Sequence, residues 1–343
     1  MKSNTDCFIF WHFFYQIISL ITPATNKLAR NLLASGFVFM ENTSVEKNYE
    51  PHIALIAVQL FFGSATILGK AALQTFPAFA IVGFRVGGAA FAFYFLQKFR
   101  GNLYLDKKIH YLYFVVFSCF GVIFNQLLFF KGLSLTTATN TSLLAVMIPV
   151  FAFLVSALIG NDKITWRKTL GIVIAACGVI YLINPLNASF SSATTQGDIL
   201  IILNSMSYAI YVAISKKLIS YYGALKSIAW LFLFASIINV PVGLYSLSAV
   251  NLSEVSVASW LAVAAIVLFP TILAYYWNAW ALARVEPSIV AVYIYLQPLI
   301  GTFAAIFILG EMWKPRIFLA MLLIFAGVFL VTRKRKREVI SKL

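Results

Sequence analysis

Residues 132–149 read GLSLTTATNTSLLAVMIP, and residues 281–298 read ALARVEPSIVAVYIYLQP. Set one above the other, the two stretches share a register. Leu133 falls on Leu282 and Pro149 on Pro298, an offset of 149 residues (282 − 133). The offset continues downstream: Asp162 meets Glu311, Arg167 meets Arg316, Leu170 meets Leu319, Gly178 meets Gly327 and Val179 meets Val328. Leu and Val coincide easily in apolar sequence. The Pro, acidic, Arg and Gly matches in one unbroken register are the informative ones. Nearer the start of each copy, Lys70 and Lys216 stand at a similar spacing of 146 (216 − 70).

The sequence around this repeat is too apolar for water. Hydrophobic residues make up 62% of the 343 and charged residues 11%, where soluble domains carry roughly 45–50% and about 25%. A globule of this size has too much surface to hide that excess. An ordinary soluble enzyme, a disordered chain and a nucleic-acid-binding domain are excluded. Ten apolar runs near the ~20 residues that cross a bilayer follow residue 50: 53–73, 77–97, 109–130, 138–159, 169–184, 198–215, 228–247, 257–279, 288–309 and 317–332. They are continuous, without the alternation of barrel strands, so they predict helices. The expected fold is therefore an all-α integral membrane protein of ten transmembrane helices. Five runs fall in each copy of the repeat. Five is odd, so the second copy enters the membrane upside down, the inverted-repeat design of secondary transporters with a site near the midplane.

The net charge of +15 is not spread evenly. Lys98, Arg100, Lys107 and Lys108 follow the second run; Lys163, Arg167 and Lys168 the fourth; Lys216, Lys217 and Lys226 the sixth; and Arg333–Arg337 the tenth. With alternating spans all four groups share one side, which the positive-inside rule makes cytoplasmic, along with both termini. The expected organisation is an N-terminal segment 1–52, a first repeat 53–184, an extracytoplasmic loop 185–197, a second repeat 198–332 and a basic cytoplasmic tail 333–343 that meets lipid headgroups. Residues 8–21 are apolar but too short to span. Met40 precedes a polar lead into the first run, so 1–39 is expected to be a non-native extension or leader. Cys7, Cys119 and Cys177 are far apart and form no CxxC pair, so neither a zinc site nor a disulfide framework is expected.

The two quoted stretches resemble the third-to-fourth helix signature of EamA-type members of the drug/metabolite transporter superfamily. Each is followed by an apolar helix, an acidic turn (Gly160-Asn161-Asp162 and Gly310-Glu311) and a closing helix with a late glycine, Gly178 or Gly327. Gly63 to Lys70 and Phe84-Arg85 also resemble the family's opening pair of helices. The resemblance covers roughly residues 53–332. The first acidic turn departs from it, with Asn161-Asp162 where Gly-Glu is usual. The resemblance implies a ten-helix carrier in the cytoplasmic membrane, commonly an exporter of amino acids or other small metabolites.

Ionisable groups inside a membrane are costly and are default functional candidates. Arg85 is the charge well inside a run. It suits a substrate carboxylate, which a guanidinium binds bidentately; the competing role is a structural tie to backbone carbonyls. No Asp or Glu lies mid-run, so facilitated diffusion or exchange is expected rather than strong proton coupling. Substrate-contact candidates are Arg85, Asn125, Gln126, Asn140, Tyr208, Tyr211, Tyr276, Tyr293 and Gln297. Ser, Thr and Asn also glue helices together, and the Tyr275–Asn278 cluster also suits an interfacial belt. Asp162 and Glu311 read as caps of the helices that follow them. Pro149 and Pro298 read as packing bends or as hinges, with Gly178 and Gly327 as further structural positions. No catalytic group, metal or cofactor is expected. The expected partners are a small-molecule substrate, the lipid bilayer and, as an open question, a second copy of the chain; nucleic acid is not among them. Two alternatives are an organic-phosphate or nucleotide-sugar exchanger, which would want several buried cations, and a membrane-embedded lipid-modifying enzyme. His12, His52 and His110 are isolated and form no catalytic pattern.

Overall fold

A computed structural model describes residues 49–183, 194–300, 303 and 316–333. In chain order its helices are α1 (Glu50–Ala72), α2 (Ala78–Arg100), α3 (Lys108–Leu135), α4 (138–158), α5 (Trp166–Ile183), α6 (Thr195–Tyr222), α7 (Ala224–Leu247), α8 (Val257–Leu282), α9 (Pro287–Ile300) and α10 (Arg316–Thr332). Among the described residues the regular structure is all helical, and seven helices, α1–α4 and α6–α8, are long and apolar enough to cross a membrane. Helices α5, α9 and α10 fall on the fifth, ninth and tenth apolar runs. Glu311, residues 1–48, residue 184, positions 185–193 of the expected 185–197 loop and the tail past 333 lie outside the described residues.

Hydropathy and helix ends do not coincide. The sixth apolar run stops at Ser215, yet α6 continues to Tyr222, where Gly223 with φ of 81° ends it. Polar Ser, Lys and Tyr are acceptable in a helix, and a left-handed glycine is the ordinary terminator. At its other end α6 begins at Thr195, so residues 195–197 are a first helical turn rather than the end of the expected loop. Helix α1 also begins earlier than its apolar run, at Glu50, with Pro51 in its first turn where a missing N–H costs nothing.

Helix α7 packs along α2, α10 along α5, α6 against α3 and α4, and α8 against α1. The first two pairings depend on glycine. A Cβ on Gly83 of α2 would sit 2.8 Å from the Gly243 Cα of α7. A Cβ on Gly327 of α10 would sit 2.5 Å from the Gly171 oxygen of α5. Such spacing lets two backbones meet with no side chain between them. Gly178 makes the same approach, its notional Cβ 2.9 Å from Ile324 and Leu323.

The repeat register reappears in the irregularities. A π turn interrupts α3 at Cys119–Ile123 and α8 at Leu268–Leu273, and Cys119 and Leu268 are 149 apart (268 − 119). Helix α4 comes in two pieces, Ala138–Leu144 and Met147–Leu158. Helix α9 comes as Pro287–Val292 followed by a tight turn at Tyr293–Leu296. Pro149 is the third residue of the second piece of α4. Its missing N–H therefore falls where first-turn amides have no partner in the helix anyway. The bend lies just before it, at 145–146, and Pro298 likewise follows its tight turn. The expected kinks at the prolines are displaced a few residues upstream for that reason.

Two lysines serve the turns that close these helices. Lys70 Nζ donates to the Leu133 oxygen at 2.6 Å and the Thr136 oxygen at 2.9 Å, at the end of α3. Lys216 Nζ donates to the Leu282 oxygen at 3.4 Å and to the Val285 oxygen, at the end of α8. The acceptors are again 149 apart (282 − 133 and 285 − 136). Cations belong at helix C-termini, where terminal carbonyls have no partner. Lys70→Met leaves two carbonyls without their donor, and because the site is half-buried the expected cost is about 1–2 kcal/mol. An unchanged unfolding temperature of the detergent-purified variant would count against this role.

Candidate functional site

The candidates do not converge on one spot; they form four groups. Arg85 leaves the middle of α2 and is 4% exposed. Its Nε donates to Thr271 Oγ1 at 2.8 Å and its Nη2 to the Pro270 oxygen at 3.2 Å. Both acceptors lie in the π turn of α8. Pro270 has no N–H, and Thr271 Oγ1 also donates to the Ile266 oxygen at 2.8 Å. The guanidinium carbon lies 4.9 Å from the Phe130 ring centre, a cation–π contact. No carboxylate pairs with Arg85 among the described residues.

The second group gathers at the π turn of α3. Tyr275 Oη donates to the Gly121 oxygen at 3.1 Å and Asn125 Oδ1 at 3.2 Å. Asn204 Nδ2 donates to the Asn125 oxygen at 2.6 Å, and Ser207 Oγ to the Phe120 oxygen at 2.7 Å. A π turn changes the carbonyl ladder of its helix, and donors from α6 and α8 meet its oxygens here. Gly121 and Pro270 are register mates, and each carbonyl is held by a side chain from another helix. Tyr211 lies against Gly121, whose notional Cβ would be 2.6 Å from that ring. Tyr208 and Tyr211 have ring centres 6.1 Å apart, and Phe62 of α1 sets its edge to both Tyr208 and Tyr275. Gln126 is 2% exposed, and its amide lies beside the Tyr275 hydroxyl without a close hydrogen bond. Tyr275, Tyr276 and Asn278 are all buried, so these three face helices rather than a lipid belt.

The third group joins α1 to α9. Gln297 Nε2 donates to Gln59 Oε1 at 2.8 Å, and the Tyr293 hydroxyl and His52 Nδ1 share a hydrogen bond of 2.7 Å. Beside it, Ser142, Ala145, Val146, Tyr295, Gln297 and Pro298 line a cleft between the broken helices α4 and α9. Its volume is about 20 Å³, room for roughly one water and far below the ~300–1,000 Å³ of ligand pockets. Tyr295 Oη donates to the Val146 oxygen at 3.2 Å, and these two residues are themselves register mates (295 − 146 = 149).

The fourth group is at helix ends. Asn140 Nδ2 at 3.0 Å and Thr136 Oγ1 at 2.6 Å donate to Asp198 Oδ1. Asp162 accepts from Ser156 Oγ at 2.8 Å, from the Ser288 amide at 3.1 Å and from Ser288 Oγ at 2.9 Å. It thus caps α9, in the other copy, instead of serving only the helix that follows it. Lys168 Nζ lies 2.5 Å from both Asp162 and Glu286. Hydropathy missed Gln59, Asp198, Glu286, Ser288 and Lys168 as partners, because each contact joins residues distant in sequence or sits at a helix end. The close pair Gly83–Gly243 had a signal: Gly83 and Gly87 form a GxxxG spacing.

A helical membrane chain with paired glycine contacts and broken helices in one repeat register is a transporter in class. The EamA-like transporter family model matches residues 51–184 and 195–333, so the chain belongs to that family, within the drug/metabolite transporter superfamily. It is 24% identical over 298 residues to the uncharacterized transporter YetK of Bacillus subtilis, covering 85% of this chain and 90% of that protein. It is 27% identical over 293 residues to an uncharacterized transporter of Archaeoglobus fulgidus, covering 84% and 99%. A protein named as an S-adenosylmethionine uptake transporter in Rickettsia prowazekii is 23% identical over 207 residues, covering 60% of this chain and 67% of that one. A solved structure titled only as a crystal structure of protein superposes with a TM-score of 0.67 at 17% identity, covering 82% of this chain and 96% of that one. The three relatives from Bacillus, Archaeoglobus and Rickettsia are named as transporters, and the family is one of transporters, not enzymes.

Proposed function

We propose that the chain is a secondary carrier that moves a small amino-acid-like metabolite across the cytoplasmic membrane by alternating access, in the export direction. Its two five-helix copies run oppositely through the membrane, and both termini lie in the cytoplasm with the lysine-rich loops. The observation that carries this reading is the repeat register kept by the irregular features. Two π turns, two broken helices and two lysine-held turns recur at one offset. Tyr295 touching its own register mate Val146 supports an axis between the copies that passes beside the cleft. Two like halves related by such an axis can exchange inward-open and outward-open shapes. The 20 Å³ cleft fits a closed member of that cycle. The buried amide of Gln126, the Tyr275 hydroxyl and the Gln59–Gln297 pair supply neutral hydrogen-bonding groups for a zwitterion once the cleft opens. With Arg85 as the deeply buried cation of the described core, the site lacks the cation cluster a phosphate exchanger would want.

The test is metabolite profiling of cells and medium for a host lacking its own related exporters, with and without the full chain. One class of amino-acid-like compound leaves the cells faster only with the protein. S-adenosylmethionine belongs in the panel because a relative is named for its uptake, and its direction of movement would be read at the same time. No difference in any compound, in cells and again in proteoliposomes loaded with candidate exchange solutes, would sink the reading. Gln126→Leu is expected to lower the flux at least about tenfold at equal membrane abundance, the loss of one buried hydrogen bond to a polar substrate. Flux equal to the parent's would remove Gln126 from the site.

A further inference from the structure

The two ends of the molecule are closed by chemically unequal contacts. At one end the turn after α3 is held by Lys70 and by Asp198, which accepts from Thr136 and Asn140. Lys70 donates to backbone carbonyls, Thr136 and Asn140 donate to one buried acid, and no ion pair among the described residues joins them. At the lysine-rich end, the turn between α8 and α9 is clasped from three sides. Lys216 and Ser220 of α6 donate to its carbonyls. Asp162, from the junction of α4 and α5, takes the Ser288 amide and hydroxyl. Lys168, in the first turn of α5, bridges Asp162 and Glu286 at 2.5 Å each.

The bridge spans the two copies. Lys168 and Asp162 belong to the first, Glu286 and Ser288 to the second. The Asp162 side chain has no solvent exposure, that of Lys168 12% and that of Glu286 44%. Moving the start of α9 away from the start of α5 would therefore strip Asp162 of its Ser288 donors and separate Lys168 from Glu286. A nearly buried carboxylate left short of partners is strongly unfavourable. The same two helix starts must part if a path is to open from that side to the cleft between α4 and α9.

We propose that Lys168, clasped between Asp162 and Glu286, is the latch of the gate at the lysine-rich end, and that each transport cycle requires breaking its Glu286 arm. The inference rests on the alternating-access reading above. Lys168 is a positioning residue: it touches no substrate and sets which side the closed cleft opens to. Its removal favours opening toward the lysine-rich side.

The test reads accessibility and needs no known substrate. In the full chain with Cys7, Cys119 and Cys177 replaced by Ser, an Ala145→Cys reporter lines the cleft. A membrane-impermeant maleimide is applied to inside-out and to right-side-out vesicles. Glu286→Gln and Lys168→Met are expected to raise labelling from the lysine-rich face about two- to fivefold, the effect of losing a partly exposed ion pair on a two-state equilibrium. Lys168→Arg keeps the charge and should label like the parent. Unchanged labelling in both variants overturns the latch, as does an equal rise from both faces, which would mean local unfolding. If Lys168→Met does not reach the membrane, Glu286→Gln, at the exposed end of the bridge, decides alone. A labelling change with no transported compound would keep the latch and remove the substrate reading; transport with unchanged labelling would do the reverse.

Discussion

Gly327→Leu is expected to abolish recovery of folded protein. The contact of α5 with α10 leaves no room: a Cβ on Gly327 would lie 2.5 Å from the Gly171 oxygen and 2.6 Å from both the Ala175 nitrogen and Cβ. Two of these three atoms are backbone and cannot rotate away. Overpacking usually costs about 1–3 kcal/mol when side chains can shift. Here the helices themselves must separate, and the cost should exceed about 3 kcal/mol. Every close contact that the pair gains from its small residues is lost with the separation, and lipid supplies no hydrophobic drive to restore it. Gly101→Leu is the control, since nothing lies within 4 Å of its notional Cβ. Equal yields of monodisperse protein for the two variants, by size-exclusion chromatography in detergent, would show that the α5–α10 contact is dispensable.

Arg85→Met should destabilise the protein by about 2 kcal/mol and couple strongly to Thr271→Val. Two hydrogen bonds from a charged donor contribute roughly 1.5–3 kcal/mol each. Removing the guanidinium also removes the cost of burying it, which offsets part of the loss. The Pro270 oxygen and Thr271 hydroxyl then remain in the core without their donor. A thermal-unfolding double-mutant cycle of Arg85→Met with Thr271→Val should show coupling near 1 kcal/mol, within the range for contacting residues. Arg85→Lys should not restore the parent value, because one ammonium cannot reproduce the forked geometry or lie flat on Phe130 in the same way. A stable Arg85→Met protein that has lost only transport would overturn the tie and favour a contact with a substrate carboxylate.

Much of the architecture was legible in the chain. The apolar runs placed most helix ends to within a few residues, with α6 reaching seven residues past its run (222 − 215), and the register of 132–149 against 281–298 pointed to where breaks recur. Lys70 and Lys216 are matched in the sequence by their spacing, and each holds a turn in the fold. The interior was less legible, for two physical reasons. Hydropathy measures where apolarity stops and not where hydrogen bonding stops, so the polar last turn of α6 was invisible. Composition also carries no sign of a π turn, which adds a residue to a helix without changing its character. The candidate polar residues were found as types, but their grouping depended on which helix faces meet. Asp198 looked like an edge residue, yet it is buried against Thr136 and Asn140. Asp162 stands just before α5 in the sequence, yet its carboxylate reaches Ser288 at the start of α9. Proline marked the neighbourhood of each break, but the chain bends a few residues earlier.

The π turns at Cys119–Ile123 and Leu268–Leu273 also constrain how this chain can vary in length. Each holds one residue more than an α-helix would use over the same rise. Deleting a single residue inside one would let the helix close into regular α geometry while the faces on either side keep their aim. Deleting one from the regular turns before either would turn everything downstream by about 100°. In α8 that rotation would swing Tyr275, Tyr276 and Asn278 out of the interior and bring another face inward. Substitutions along these helices can be absorbed one side chain at a time, whereas a change of length is absorbed only where a π turn already carries the spare residue.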